Sequence, residues 1–282
     1  MAEVRTALAE ATERLATAGI DSARWDAEQL AAHVLGVSRM SLPGINDIDI
    51  AAYDVLVARR AQREPLQHIV GSVGFRYVEL AVGAGVFVPR PETESVAGYA
   101  IDVARRVANP RVVDLCSGSG AIALSVANEV PGAEVHAVEL DANALEWLRR
   151  NASARQQAGD TPVALHHANV SDALRELDGT VDVVVSNPPY VAEHEMADLE
   201  PEVADHDPRI ALVAGPDGLD VIREVERTAR RLLRNGGTVV VEHSDRQGES
   251  APNVFGTGWT NVEDRKDLAG RPRFTVATRM EP

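Results

Sequence analysis

Cysteine is almost missing from this chain. Cys116 stands alone, so neither an intrachain disulfide nor a thiolate metal cluster can form. Lysine is as scarce, with Lys266 its single instance, and arginine carries the basic charge. Base is short overall: 43 Asp and Glu face 28 Lys and Arg, for a formal net charge of −15 and a pI near 5.0. Nonspecific affinity for DNA or RNA needs basic surface to neutralise phosphates, so no direct nucleic-acid partner is expected. No apolar run approaches a membrane span, and Met1-Ala2-Glu3-Val4-Arg5 lacks a basic-then-apolar signal pattern. A cytoplasmic protein, monomeric and without a membrane partner, is the expectation. The eight histidines are scattered without clustered acids at ligand spacing, so no metal is expected.

What is present is the composition of a soluble globular protein, 45% hydrophobic and 25% charged over 282 residues. That length allows one large domain with a smaller companion. Val4, Leu8, Ala11, Leu15 and Ala18 fall on one helical face, with Gly19 as a stop. Asp21 or Ser22 can cap a second helix with Ala27, Leu30, Ala31 and Val34 inward, and Asp49 can open a third, ending before Pro65. A small acidic helical bundle over residues 1–73 suits docking a protein better than binding nucleic acid. Phe75–Val82, then Gly83-Ala84-Gly85, then Val86-Phe87-Val88 read as a β-hairpin connector over 74–89. The third domain is expected to run over 90–282. Its opening string, Pro89-Arg90-Pro91-Glu92-Thr93-Glu94, has the form of a helix start, its acids complementing the helix dipole.

From Arg111 strand and helix alternate. Strands are expected at Arg111–Leu115, Glu134–Glu139, Val163–His166, Val181–Ser186 and Thr238–Glu242, with helices at Ala121–Glu129, after Asp141 and over about Gly218–Leu233. Alternation predicts an α/β fold with a parallel sheet covered on both faces. Trp259–Glu263 and Arg273–Thr278 leave no room for a helix and should form an antiparallel hairpin on its edge.

Asp114-Leu115-Cys116-Ser117-Gly118-Ser119-Gly120 sits where the first of these strands turns into a helix. Glycines there let backbone approach a ligand, and Glu139, about 20 residues on, can hold ribose hydroxyls. These features fit any adenosine-containing cofactor, and a plain tight turn would also use them. A dinucleotide fingerprint wants a third glycine, but Gly120 is followed by Ala121-Ile122-Ala123. Asp114 would also repel a pyrophosphate, whereas it would suit the sulfonium and amine of S-adenosylmethionine.

The run Val181–Ser186 leads straight into Asn187-Pro188-Pro189-Tyr190, a stiff loop that two prolines keep out of both helix and strand. In open α/β sheets ligands bind past the carboxyl ends of strands. An amide side chain and carbonyls free of local N–H partners would there accept hydrogen bonds from a donor such as –NH2. Asn-Pro is also an ordinary turn former.

With that loop following such a cofactor site, the chain resembles the class I S-adenosylmethionine-dependent methyltransferases that act on planar –NH2 nitrogens. The closer resemblance is to the bacterial protein-(glutamine-N5) methyltransferases of class-1 peptide chain release factors. It extends through Glu64–Gly71, Phe87–Glu94, Asp114–Ala123, Asn187–Tyr190, Pro216-Asp217-Gly218-Leu219, Glu242-His243 and Asp267–Arg273. The resemblance implies a Rossmann-like class I methyltransferase sheet preceded by a helical domain and hairpin. It implies methylation of the glutamine of a Gly-Gly-Gln motif, with Asn187, Pro188, Pro189 and Tyr190 binding substrate and Asn187, Pro188 and Tyr190 at the chemistry. The Asn187 oxygen and the Pro188 carbonyl would each accept one N–H. The implied cofactor set is Asp114, Cys116, Ser117, Gly118, Gly120, Glu139, Leu140, Asn169 and Asn187, with Arg90, Glu92 and Thr93 at the pocket edge. Cys116 replaces a family glycine, and Ser117 and Ser119 replace threonines, which bears on cofactor affinity. Alternatives are glutamine methylation of a ribosomal protein, adenine-N6 methylation of nucleic acid, and a non-catalytic NAD-binding module.

Overall fold

The computed structural model describes residues 2–280. They form two compact units, one comprising the chain up to Ser72 together with Glu200–His206, the other Val73–Leu199 and the chain from Asp207. Within the first, β1 (Ala2–Glu3) pairs antiparallel with β2 (Asp47–Ile48) beside α1 (Val4–Thr17), α2 (Ala23–Leu35), α3 (Ile50–Ala61) and α4 (Leu66–Val70). The expected faces are the buried ones: Val4, Leu8, Ala11 and Leu15 of α1 meet Ala27, Leu30 and Ala31 of α2 and Tyr53 and Val57 of α3. Asp49 caps α3 by accepting from the N–H groups of Ala51 and Ala52 at 3.1 and 3.3 Å. Ser22 does not cap α2; its hydroxyl donates instead to Asp26 Oδ1 at 2.8 Å. The five-residue α4 follows Pro65 and lacked a pattern long enough to announce it.

The second unit opens with a hairpin, but not where the glycines suggested. Its strands are β3 (Ser72–Phe75) and β4 (Val78–Ala81), joined through Arg76 and Tyr77. Arg76 takes a left-handed φ of 50°. Its guanidinium is gripped by Glu129 at 2.5 and 2.8 Å, and its N–H donates to Glu94 at 3.1 Å, which offsets the strain. Val82 and Val86 flank the Gly-rich turn but pack against Ala144 instead of pairing as strands.

After α5 (Thr93–Ala104) the alternation is as expected: β5 (Arg111–Leu115), α6 (Ala121–Glu129), β6 (Glu134–Glu139), α7 (Ala142–Gln157), β7 (Val163–His167) and β8 (Val181–Ser186). A long excursion containing α8 (Pro201–Ala204), which belongs to the helical unit, precedes α9 (Asp220–Leu232) and β9 (Leu233–Glu242). β9 begins five residues earlier than expected, because Gly236-Gly237 form an irregularity within the strand and not its start. β10 (Trp259–Lys266) and β11 (Pro272–Arg279) complete a seven-stranded sheet of order β10-β11-β9-β8-β5-β6-β7. β5 to β9 are parallel and the last two antiparallel.

Both faces of this sheet are covered. Val183 and Val185 of β8 point into the core with α5 and α6, while Val181 and Val184 point to the side of α9. A central strand buried on both faces must be apolar where it is covered, which explains the Val183-Val184-Val185 run; Asp182, near the strand's start, is half-buried and pairs with Arg234 at 2.6 Å. Pairing of Leu115 with Ser186 and Val138, and of Ser186 with Val241, brings the carboxyl ends of β5, β6, β8 and β9 to one edge.

Candidate active site

At that edge β5 passes into α6 through a loop folded on its own side chains. Asp114 is 1% exposed, and its Oδ2 accepts from the N–H of Ala123 in the first turn of α6 at 3.1 Å. That bond satisfies one free donor of the helix end, but Oδ1 has no hydrogen-bond partner among the described residues. Burial raises the Asp114 carboxyl to about 7, against the pull of Ala123 and Ser117. Cys116 adopts a left-handed φ of 61°, a conformation that costs a non-glycine residue roughly 1–2 kcal/mol; burial pushes its thiol up. A Cβ at Gly118 would meet open space, so this stretch of backbone is accessible to a ligand. At Gly120 it would fall 2.6 Å from Leu148, so packing on α7 requires glycine.

Glu139 closes the loop from β6. Its Oε2 accepts from the Gly118 N–H and its Oε1 from the Asp141 N–H, each at 2.7 Å, leaving one lone pair per oxygen for hydroxyl donors. Burial raises its pKa, opposed by those N–H groups. Leu140 is 45% exposed beside it. Asn169, also exposed, uses its Oδ1 to accept from the Ser171 N–H at 2.8 Å, so its Nδ2 is the end left for a base. Asn151 of α7, an interior position in its sequence pattern, is a tie of its own. It accepts from the Ala81 N–H at 2.8 Å and donates to Ala81 O and Ser119 O at 3.0 and 2.9 Å, fastening the hairpin to the Gly-rich loop.

The loop after β8 is held on three sides. Asn187 Nδ2 donates to Thr93 Oγ1 at the start of α5, at 3.2 Å. The Tyr190 hydroxyl donates to Glu242 Oε1 at the end of β9, at 3.3 Å, and burial raises the Tyr190 pKa. The Tyr190 carbonyl accepts from Gln247 Nε2 at 3.1 Å, and a Cβ at Gly218 would sit 2.4 Å from that carbonyl. The Pro216–Leu219 string is therefore a seat for the loop, and its glycine is sterically required. Ser186 anchors the loop's root by donating to Leu115 O at 2.7 Å.

Glu242 is 1% exposed and its Oε2 has no hydrogen-bond partner of good geometry among the described residues. Burial raises it to about 7, with the Thr93 hydroxyl, the Arg273 guanidinium and the Tyr190 hydroxyl opposing the shift. Next to it, His243 is fully buried, with Nε2 3.2 Å from Asp264 Oδ1, and burial lowers its pKa. Arg90 sits over the Phe87 ring at 4.8 Å and pairs with the buried Asp207 at 2.7 Å. Glu92 is exposed ahead of α5. Of these, Asn151, Gln247 and Glu242 were not singled out as site residues; each meets its partner across 29 to 70 positions of sequence, beyond any local pattern. The Glu242-His243 string was visible as a polar strand end, which is weak evidence alone.

Three local properties thus meet at one sheet edge: exposed glycine backbone, a buried acid with a free oxygen, and a rigid loop presenting acceptors. The free Asp114 oxygen and the open face of Gly118 fit a cationic, nucleoside-bearing ligand such as S-adenosylmethionine.

Residues 6–71 match the model of the PrmC N-terminal domain, and residues 100–204 that of the methyltransferase small domain. A release factor glutamine methyltransferase of Streptomyces coelicolor is 54% identical over 280 residues, covering 98% of both chains. One from Mycolicibacterium smegmatis is 49% identical over 288 residues, covering 99% of each. A 4-amino-L-phenylalanine/4-methylamino-L-phenylalanine methyltransferase of Streptomyces pristinaespiralis is 42% identical over 273 residues, covering 92% of this chain and 90% of that one.

Proposed function

The chain belongs to the release factor glutamine methyltransferase family, and on that premise we propose that it methylates the side-chain amide nitrogen of a release-factor glutamine, within a Gly-Gly-Gln motif, using S-adenosylmethionine. When bound, that cofactor supplies an electrophilic methyl group on a cationic sulfur. Asp114 Oδ1, the Gly118 backbone, the Glu139 carboxylate, Leu140 and Asn169 Nδ2 would hold it. The observation that carries the substrate reading is the Asn187–Thr93 contact at 3.2 Å. It occupies the Nδ2 end of Asn187 and leaves Oδ1 as an acceptor.

An amide nitrogen is a poor nucleophile because its lone pair is delocalised into the carbonyl, the resonance behind the ~18–20 kcal/mol rotation barrier of amides. Asn187 Oδ1 and the Pro188 carbonyl can each accept one N–H of the substrate, fixing the plane of its –NH2 group. Tyr190, tied down at both its hydroxyl and its carbonyl, can wall the substrate amide. Positioning of this kind supplies roughly 7–11 kcal/mol in favourable cases. The nitrogen, acidic once it bears the methyl group, then loses its proton, so no general base is needed before attack.

The relative acting on an arylamine makes a small aromatic amine the second reading. Transfer from labelled S-adenosylmethionine would be measured to purified release factor, ribosomal protein, duplex DNA and 4-amino-L-phenylalanine, offered separately. Label on the release-factor glutamine, falling at least about 100-fold in Asn187→Ala, is expected. Label on the amino acid or DNA alone would overturn the assignment.

A further inference from the structure

Asparagine is an ambiguous choice for a site that must accept two N–H groups in a fixed plane. Its two ends are nearly the same size, and a half-turn about its last torsion exchanges acceptor for donor. With Oδ1 outward it accepts from the substrate nitrogen; turned over, it sets N–H against N–H. The Thr93 hydroxyl cannot by itself prevent that turn, because a hydroxyl can donate as readily as it accepts. It discriminates only when its single proton is committed elsewhere.

We propose that Thr93 and Glu242 are positioning residues that fix which end of the Asn187 side chain faces the substrate. The proposal rests on the glutamine-methylation reading above. Thr93 is buried, 3% exposed, and receives Asn187 Nδ2 at 3.2 Å. Beside it lies Glu242, whose Oε1 is taken by the Tyr190 hydroxyl at 3.3 Å and whose Oε2 lacks a partner among the described residues. An ionised carboxylate only accepts. Its unfilled Oε2 is then the acceptor toward which the Thr93 hydroxyl, one of the groups that favour the ionised form, can turn its proton; the Thr93 oxygen then accepts, and Asn187 presents Nδ2 inward and Oδ1 outward. The same carboxylate draws the Tyr190 proton inward, so the two polar residues of the loop are oriented from one buried point.

A protonated Glu242 carries a donor of its own and releases the constraint. The charged or titratable groups that bear on it are Arg273 from β11, Tyr190 from the loop after β8 and Glu92 ahead of α5. Arg273 favours the ionised form and Glu92 opposes it. Turnover at saturating cofactor should accordingly rise with pH through one ionisation. This arrangement also accounts for a buried acid kept at the end of β9, where an apolar residue would pack without penalty.

The test compares Thr93→Val, Thr93→Ser, Glu242→Gln and Asn187→Ala in the full-length protein. It measures kcat and KM for release-factor methylation, S-adenosylmethionine affinity by calorimetry, and thermal unfolding to confirm folding. Thr93→Val and Glu242→Gln should lower kcat roughly 10- to 100-fold, the equivalent of one charge-assisted hydrogen bond. Cofactor affinity should stay within about twofold, as for a group acting on the substrate side alone. Thr93→Ser, which keeps the hydroxyl, should restore most of the rate, and the acid limb of the pH profile should vanish in Glu242→Gln. Wild-type kcat in Thr93→Val, equal losses in Val and Ser, or an acid limb persisting in Glu242→Gln would each overturn the proposal. Should Asn187→Ala retain activity, the functional reading itself fails. If it is inactive while Thr93→Val and Glu242→Gln turn over normally, only the positioning role fails.

Discussion

The two units of this protein bury acids in opposite ways. In the helical unit Asp26 is almost inaccessible, yet both its oxygens are engaged: Oδ2 by Arg60 Nε at 2.7 Å and Oδ1 by the Ser22 hydroxyl at 2.8 Å. At the sheet edge Asp114 and Glu242 are as deeply buried, but each keeps one oxygen without a hydrogen-bond partner among the described residues. Burial holds both carboxyls near 7. An internally paired acid specifies a shape. An acid kept half-satisfied costs folding free energy and keeps a capacity the site can use, Asp114 toward a ligand and Glu242 toward the side chains of the loop.

The strongest test of that contrast is Asp26→Ala. It leaves Arg60, 8% exposed, with Glu202 at 2.8 Å as its remaining ionic partner. Breaking a buried pair typically costs about 3 kcal/mol or more, so the urea midpoint should drop clearly while kcat of the folded enzyme is retained. An unchanged midpoint would show that the pair is ornamental.

Asp114→Asn should move stability the other way. The folded-state carboxyl titrates near 7 against an ordinary value of 3.8, so the folded form holds an extra proton between those values. Unliganded wild-type stability must therefore fall as pH rises through that window. Above pH 7 the asparagine variant should be more stable by a few kcal/mol, about three pH units at ~1.4 kcal/mol each, and the two proteins should converge toward pH 4. S-adenosylmethionine binding, followed by calorimetry, should weaken in the same variant. Parallel stability curves across that pH range would remove Asp114 from the comparison.

Much of the fold was legible because its signals are local. Arg111–Leu115, Glu134–Glu139 and Val181–Ser186 form strands with the bounds their patterns predict, since each has a short β-branched apolar centre that stops at turn residues. The hairpin lies earlier than its glycines predict because its turn uses Arg76, a residue with no turn propensity, held by Glu129 and Glu94 from distant helices. Gly83 and Gly85 lie in a loop after the hairpin and Gly236-Gly237 at an irregularity inside β9, so neither pair marks a strand boundary. At the candidate site, residues contiguous in sequence could be proposed together. Thr93 with Asn187, and Tyr190 with Glu242, are joined across 94 and 52 positions, so only the folded sheet reveals them as one cluster.

Cys116 offers the smallest test. Glycine there would relieve the left-handed backbone at φ 61° but regain chain entropy when unfolded, so Cys116→Gly should shift stability by less than about 1 kcal/mol. Cofactor affinity should tighten no more than about fivefold. A larger gain in affinity would mean that the loop, and not the free Asp114 oxygen, limits binding.

The excursion after Tyr190 bears on how such a protein can be inherited and rebuilt. Glu200–His206 lie within the helical unit, where Glu202 reaches Arg60 at 2.8 Å and Arg63 at 2.6 Å, although the flanking residues belong to the methyltransferase unit. The gene is therefore not a simple concatenation of two modules. A chimera that exchanged only residues 1–72 would separate these arginines from the glutamate they pair with. Recombination between relatives should be tolerated best when both stretches travel together, and drift at position 202 should be answered at 60 and 63.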